Sequence, residues 1–308
     1  MTKKIFLIAV LTLFFINKNF GQTYFKIEEN KLKNCCLPIP TQLQPVESDK
    51  ANAIFKYLLD SVKFEYRYGY GACEDRAHFI SKSLDKKGIN NNKIWCFAPI
   101  RYTLISKKEL SVKDPLTISD KIIWTYHVAP IIIVKNKSKT DTVVIDPSLE
   151  SNSPILYSQW LKMLNCPEAI FTFTESNMYL FNSLDGFTAW RNNNFSDNEN
   201  FTIPKWFPNI ISGDFIPYDD NSQSIPKGMA INEIAVSIYN QEKGNLSKDE
   251  LRTILGNINN ITAFLDDTEV NAVINEAFKI KYKEYINRYK EKYKLRVAYW
   301  TNEYNKIK

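Results

Sequence analysis

The chain has 308 residues, of which 44% are hydrophobic and 24% are charged. This composition is ordinary for a globular protein and excludes a wholly disordered chain. The formal net charge of +6 is too small for this length to indicate a general nucleic-acid-binding protein.

The first 21 residues have the features of a secretory signal peptide. Lys3 and Lys4 precede an apolar run from Ile5 to Phe15, which is too short to span a bilayer, and Gly21 is a small residue suited to cleavage. Loss of residues 1–21 removes three lysines and no acid, so the net charge falls from +6 to +3. The sequence therefore predicts a secreted or periplasmic protein, and the alternative is an uncleaved membrane anchor.

The next segments predict the start of a catalytic domain. Residues 22–45 form an irregular lead-in or short pro-segment, after which Ser48 caps a helix whose apolar residues continue to Leu59. Aromatic and charged residues alternate over Val62–Tyr70, as in a strand. A helix then runs from Cys73 to Lys87, and Gly88 closes it.

The middle of the chain is rich in strand-forming residues. We expect strands over the segments 94–100, 121–134, 142–146 and 170–174, a loop or lid at 103–120, and a short helix at Trp160. The predicted catalytic domain covers residues 46–190, and an irregular linker with several prolines and asparagines covers 191–228.

The C-terminal region, residues 229–308, is predicted to be helical and basic. Helices are expected at 229–239, at 251–255 behind a capping box that begins at Ser247, and from about Thr268 to the end. From Lys279 to Lys308 there are ten Lys or Arg and three Glu, with tyrosines on one helical face. This helix is expected to pack on the enzyme domain, while the alternatives are a helix that binds an anionic surface or partner and an RNA-binding stripe.

Three residues in different local structures form a candidate thiol acyl-transfer site. Cys73 lies in the first turn of its helix, where free N–H groups and the helix dipole lower a thiol pKa. His78 lies about 140° around the helix from Cys73 and is assigned a structural or surface role, which leaves His127 as the available base. Asp146 follows a strand and would orient the imidazole, as in nucleophile–base–acid triads.

Strand pairing tests whether the base and the acid can meet. If Val134 is opposite Lys139 in a hairpin, His127 is directly opposite Asp146 on the same face of the sheet. A slip of one residue would move Asp146 to the other face. These residues alone allow a cysteine peptidase, a transglutaminase-like acyltransferase, an amidase or a deamidase.

Longer motifs around these residues resemble bacterial protein-glutaminases. The resemblance rests on the segments Asn52–Phe55, Gly71–His78, Trp124–Ala129, Ile145–Leu149 and Asn177–Leu180, and it spans about residues 46–190. It implies an α+β, papain/transglutaminase-like fold, with the nucleophile helix packed on an antiparallel sheet. It also implies Cys73 as nucleophile, His127 as base and Asp146 as orienter in the hydrolysis of protein-bound glutamine through a thioester.

The chain departs from the family pattern after the nucleophile, where Glu74 and Asp75 are acidic. We expect both to point away from the thiol and to favour a cationic substrate. Trp124 and Tyr126 flank His127 and either bind substrate or belong to the core.

Other expectations concern partners and cysteines. The expected substrate is a protein or peptide with an exposed glutamine, and we expect a monomer with no nucleic-acid partner. No cofactor or metal is implied. Four cysteines besides Cys73 could form disulfides or remain reduced, namely Cys35, Cys36, Cys96 and Cys166. The remaining alternatives are transamidation, peptide cleavage, and a catalytically inactive transglutaminase-like binding or toxin module.

Overall fold

The structure is a computed structural model that describes residues 42–98, 109–167, 169–181, 215–266 and 271–308. The predicted signal peptide, most of the lead-in and linker, and Cys35 and Cys36 lie outside the described residues. None of the described helices is long and apolar enough to cross a membrane.

The first half of the chain supplies a helix–sheet core. Its elements in chain order are β1 (Val46–Glu47), α1 (Ser48–Lys56), α2 (Cys73–Lys86), β2 (Asn92–Phe97), β3 (Leu110–Lys113), β4 (Lys121–Trp124), β5 (Tyr126–Asn136), β6 (Lys139–Val144), β7 (Ile155–Leu156), α3 (Tyr157–Met163), β8 (Ile170–Glu175) and β9 (Met178–Phe181). Strands pair in the order β7-β6-β5-β2-β8, all antiparallel, and β1 joins β5 in parallel. The predicted combination of helices and an antiparallel sheet is confirmed, whereas the papain/transglutaminase-like placement stays a prediction.

The second half is mostly helical. It contains β10 (Phe215–Pro217), α4 (Ser224–Glu242), α5 (Lys248–Leu255), α6 (Ile258–Leu265), α7 (Glu276–Lys281) and α8 (Lys283–Ile307). The capping box at Ser247 is present. The predicted single helix from Thr268 is instead two helices separated at Tyr282. Helix α6 lies in the region predicted to be helical but is not among the individual helices predicted there.

The two halves share one hydrophobic core around the back of α2. Phe79 of α2 packs edge-on against Trp300 of α8, with 5.2 Å between the ring centroids. Both rings are buried, in a cluster that also contains Met229 of α4 and Ile132 of β5. The α2 helix therefore lies between the sheet and the C-terminal helices, with its first turn at the edge of this core.

Two local predictions in this region are wrong. The segment Val62–Tyr70 is irregular, because Lys63 has a φ of 56° and the chain around it bonds back to the π-helical turn Tyr57–Ser61. Ser48 is the first residue of α1 and not its cap. Gly88, with a φ of 66°, follows α2 and donates to Asp85 O, as expected of a helix-terminating glycine.

Cys96 and Cys166 are both buried, and no disulfide joins them. Burial and the neighbouring Cys166 raise the pKa of the Cys96 thiol above its usual range. The pairing of Cys35 and Cys36 stays a prediction.

Candidate active site

The candidate nucleophile begins a helix after a strained residue. Ala72 has the left-handed values φ 57° and ψ 27°, and Cys73 is the first residue of α2. A left-handed conformation costs a non-glycine residue about 1–2 kcal/mol, and such strain concentrates at functional sites. The turn places the Cys73 thiol inside the molecule, where the residue is 7% exposed.

Cys73 contacts the side chain that follows it. Its Sγ donates to Glu74 Oε2 at 3.2 Å. Burial, followed by the charge of Glu74, raises the pKa of the Cys73 thiol well above its usual range, although Arg76 and the Val128 backbone N–H oppose this effect. The expectation of a lowered pKa, with Glu74 pointing away, is therefore wrong for this resting arrangement, because the Glu74 side chain folds back over the first turn.

His127 is held by a carboxylate on one nitrogen. On β5 its Nε2 lies 2.8 Å from Asp146 Oδ2, and the residue is 1% exposed. Its buried Nδ1 has no hydrogen-bond partner among the residues that the structure describes. Since Nε2 faces a carboxylate, the neutral ring carries its proton there and Nδ1 can accept one.

Two tryptophans enclose the imidazole. Trp124 stacks on the His127 ring with 4.3 Å between centroids and 6° between planes. Trp160 of α3 stacks at 5.7 Å and 22°. Trp124 Nε1 donates to Gly69 O at 2.6 Å, and Trp160 Nε1 donates to Asp146 Oδ2 at 2.7 Å. The ring plane of His127 is thus fixed by packing as well as by hydrogen bonding.

Asp146 accepts hydrogen bonds on both oxygens. Besides His127 and Trp160 on Oδ2, Ser148 donates to Oδ1 from its backbone N at 3.1 Å and from its hydroxyl at 2.5 Å. Burial alone would raise the pKa of Asp146, but the charge and hydrogen bond of His127, together with the bonds from Ser148 and Trp160, lower it to about 2. The carboxylate is therefore ionised at neutral pH.

The predicted register that brings these residues together is wrong by two positions. Asn136 is opposite Lys139 and Val134 is opposite Asp141, because the hairpin turns over only Lys137 and Ser138. Asp146 lies beyond the end of β6, not opposite His127. A shift of two residues keeps every side chain on its face, which explains why Asp146 still reaches the imidazole.

The three predicted site residues line one cavity. Cys73 enters it from α2, His127 from β5, and Asp146 from the segment after β6. The geometry shows a direct hydrogen bond between His127 and Asp146, while the thiol bonds Glu74. Their catalytic roles stay a prediction.

His78 lies outside this cavity and is fully buried. Its Nδ1 is 2.9 Å from Lys93 Nζ, and its ring packs against Tyr179 and Tyr218. Burial and the positive charge of Lys93 lower the pKa of His78 to about 2. Of the two roles predicted for His78, the structure shows the structural one.

Trp124 and Tyr126, the predicted substrate-binding residues, line a second, open cleft, and Cys73 and Glu74 line it as well. This cleft has a volume of about 370 Å³. The Tyr126 hydroxyl donates to Glu74, and burial followed by the charge of Glu74 raises the pKa of Tyr126 well above its usual range. Trp124 both stacks on the imidazole and lines the cleft, and substrate binding by Trp124 and Tyr126 stays a prediction.

Sequence reasoning missed two supporting residues. Trp160 was recognised only as part of a short helix, since nothing local indicates that its ring reaches across to Asp146 and His127. Arg76, buried in α2, donates to Tyr68 O, Gly71 O and Asn232 Oδ1, and so fastens the loop before Cys73 to α4. The sequence shows the two acids after Cys73 but not their contacts: Asp75 accepts a hydrogen bond from the Tyr179 hydroxyl at 2.5 Å.

A match to a protein family supports the resemblance seen in the motifs. Residues 51–164 match the model of a family described as glutaminase. Among solved structures, the NMR structure of protein-glutaminase from Chryseobacterium proteolyticum is 22% identical, covers 44% of this chain and 76% of its own, and has a TM-score of 0.37. A crystal structure of protein-glutaminase is 23% identical over 47% of this chain and 77% of its own, with a TM-score of 0.36.

A crystal structure of pro-protein-glutaminase is 22% identical, with a TM-score of 0.34, and covers 46% of this chain and 53% of its own. No curated protein sequence matches the chain. The predicted resemblance to bacterial protein-glutaminase is thus confirmed by the family match, which ends 144 residues before the C-terminus.

Proposed function

We propose that this chain, whose residues 51–164 match a glutaminase family, is a cysteine amidohydrolase that converts protein-bound glutamine to glutamate and ammonia. The single observation that carries the proposal is the hydrogen bonding of the two ring nitrogens of His127. One of its nitrogens is fixed on Asp146, and the other is free to take a proton in a cavity that it shares with the Cys73 thiol.

The first half-reaction forms a thioester. His127 Nδ1 takes the thiol proton, and the sulfur attacks the side-chain carbonyl carbon of glutamine. Backbone N–H groups in the first turn of α2, including that of Cys73, have no intrahelical acceptor and bind the oxyanion. The C–N bond then breaks, and the nitrogen leaves as ammonia after taking the proton from His127.

The second half-reaction releases the product. His127 takes a proton from water, the resulting hydroxide attacks the thioester, and the sulfur leaves as thiolate and recovers the proton. Asp146 stays ionised throughout and stabilises the imidazolium that forms twice in the cycle.

Glu74 loses its hydrogen bond from the Cys73 thiol at the start of this cycle. The carboxylate accepts from the thiol in the resting arrangement, and this bond is lost when the thiol ionises. The NH2 group of the substrate carboxamide can then donate to Glu74 in its place. The same carboxylate repels the glutamate product, which carries a negative charge where the substrate carries an NH2 group.

The test is mass spectrometry of a casein substrate, together with an assay for released ammonia. The wild type is expected to add one dalton at glutamines and to release ammonia in equal amount. Cys73→Ala is expected to lose more than about a thousandfold in rate, and Cys166→Ala, which removes a buried thiol that does not line the cavity, is the matched control. The proposal fails if the wild type leaves glutamine unchanged, or if Cys73→Ala retains its rate.

The same experiment separates hydrolysis from transamidation. With a primary amine present, incorporation of the amine in place of the one-dalton change would identify a transglutaminase-like acyltransferase. Cleavage of the casein backbone would identify a peptidase. Export through residues 1–21 is a further part of the proposal, and it is checked by comparing the N-terminus of the mature protein with Gln22.

A further inference from the structure

The open cleft beside the thiol has a wall outside the family-matched segment. The turn between α5 and α6, together with the first two residues of α6, lines it beside Cys73, Trp124 and Tyr126; this wall comprises residues 256–259. This turn begins 92 residues after the matched segment ends at residue 164. The C-terminal helical region therefore adds a surface to the cleft that holds the candidate nucleophile.

The turn is fixed to the loop that precedes Cys73. The buried Tyr68 hydroxyl donates to Leu255 O at 2.9 Å. A Cβ on Gly71 would lie 2.6 Å from the Ile258 side chain, so only a glycine leaves room for Ile258 at this position. Asn260 Nδ2 donates to Thr253 O at 2.8 Å and ties the two helices across the turn.

The wall presents carboxamides, not charges. Asn257 caps α6, with its Oδ1 accepting from Asn259 N at 2.7 Å. This bond uses one acceptor of the Asn257 carboxamide and directs none of its NH2 donors. Asn257 and Asn259 are both exposed at the cleft. Carboxamides offer donors and acceptors that complement peptide N–H and C=O groups.

The cleft is also larger than one glutamine side chain needs. Its volume of about 370 Å³ leaves room for residues on both sides of the reacting carboxamide. Ile123 also lines the cleft, is 37% exposed and offers an apolar contact. An extended peptide can therefore contact both Ile123 and the turn while its glutamine reaches the thiol.

We propose that residues 256–259 form a binding wall for the polypeptide backbone that flanks the target glutamine, with Asn257 and Asn259 as specificity-determining residues. The inference rests on the proposed function and deepens it, because it assigns the preference for polypeptide over small amides to the C-terminal helical region. In this proposal the catalytic domain carries out the reaction, and the turn binds the substrate backbone on either side of the glutamine.

The test compares two substrates: a blocked glutaminyl dipeptide and a longer peptide that carries the same glutamine centrally. Asn257→Ser retains a capping oxygen but removes the NH2 donors, and Asn259→Ala leaves the backbone N–H that the cap uses. In the double variant, the KM of the long peptide relative to that of the dipeptide is expected to rise about 5-fold to 100-fold, as for the loss of two hydrogen bonds.

The matched control is Asn275→Ser. Asn275 is also an exposed asparagine cap, accepting from Phe278 N at the start of α7, but it does not line the cleft. Its substitution is expected to leave the KM ratio unchanged. An unchanged ratio in the double variant, or an equal rise in the control, would overturn the assignment of the wall.

A second measurement separates the wall from the chemistry. In the Cys73→Ala background, the Kd of the long peptide is measured with and without the two asparagine substitutions. Weaker binding of the long peptide with the substitutions supports the wall, whether or not the wild type releases ammonia. Absence of ammonia release would refute only the proposed function. Equal Kd values would refute the wall even if deamidation is observed.

Discussion

Glu74 is expected to suppress the reactivity of the Cys73 thiol in the resting enzyme. Replacing it by glutamine removes the negative charge but leaves a carbonyl oxygen that can accept the hydrogen bond from the thiol. The variant therefore isolates the charge from the hydrogen bond. Because the carboxylate lies 3.2 Å from the sulfur and raises the pKa of the thiol, Glu74→Gln is expected to lower that pKa.

The size of the effect follows from the distance. A like charge in direct contact disfavours the thiolate, so its removal is expected to raise the thiolate fraction below the pKa by about tenfold to a thousandfold. A thiolate of lower pKa is also a weaker nucleophile, with a Brønsted coefficient of about 0.4–0.5. The net gain in reaction rate at neutral pH is therefore about 4-fold to 40-fold.

The assay is the rate of thiol exchange with an aromatic disulfide, followed from mildly acidic to alkaline pH. Cys73→Ala defines the background from the other cysteines. Glu276→Gln is the matched control, since Glu276 lies in the first turn of α7 and lines neither the cavity nor the cleft that Cys73 lines. A Glu74→Gln variant that reacts no faster than wild type, with an unmoved pH profile, would refute the inhibitory role of the carboxylate.

Two further predictions concern stability. The pKa of Asp146 falls from 3.8 to about 2 on folding, so its ionised form stabilises the fold above pH ~4. About 2 kcal/mol of unfolding free energy is lost as the pH falls toward 2. Asp146→Asn should remove this part of the acid sensitivity in urea titrations, whereas substitution of an exposed aspartate, Asp249→Asn, should not. Gly228→Ala should cost about 1–3 kcal/mol, because its Cβ would lie 1.8 Å from Asp75 Oδ2. Gly244→Ala, with no atom near its Cβ, is the control, and equal stability of the two alanine variants would contradict the packing argument.

The local elements of the site were predictable from the sequence. The 3.6-residue repeat of apolar positions identified the helix that Cys73 begins, and dense β-branched residues identified the strand that carries His127. The prediction that Asp146 shares a face with His127 survived a wrong register, because the error was two residues and side chains in a strand alternate with a period of two.

The long-range contacts were not predictable in the same way. Trp160 reaches Asp146 and His127 because α3 folds back over the end of β6, and the α5–α6 turn reaches the cleft beside the thiol through packing of Ile258 on Gly71. Neither contact leaves a periodic signal in the chain. The bond between Cys73 and Glu74 was missed for another reason: a helical angle locates a Cβ, whereas a long side chain can bend back over its neighbour.

The packing of Trp300 on Phe79 has a consequence for anyone who shortens this protein. A fragment cut to residues 51–164 would lose α8 and β8 together. Loss of α8 would expose Phe79, the α2 residue that packs on Trp300, and loss of β8 would leave one edge of β2 without its antiparallel partner. Unpaired strand edges beside apolar surface are sites of intermolecular association, so such a fragment is expected to aggregate. A truncation that keeps the shared core must retain both β8 and α8.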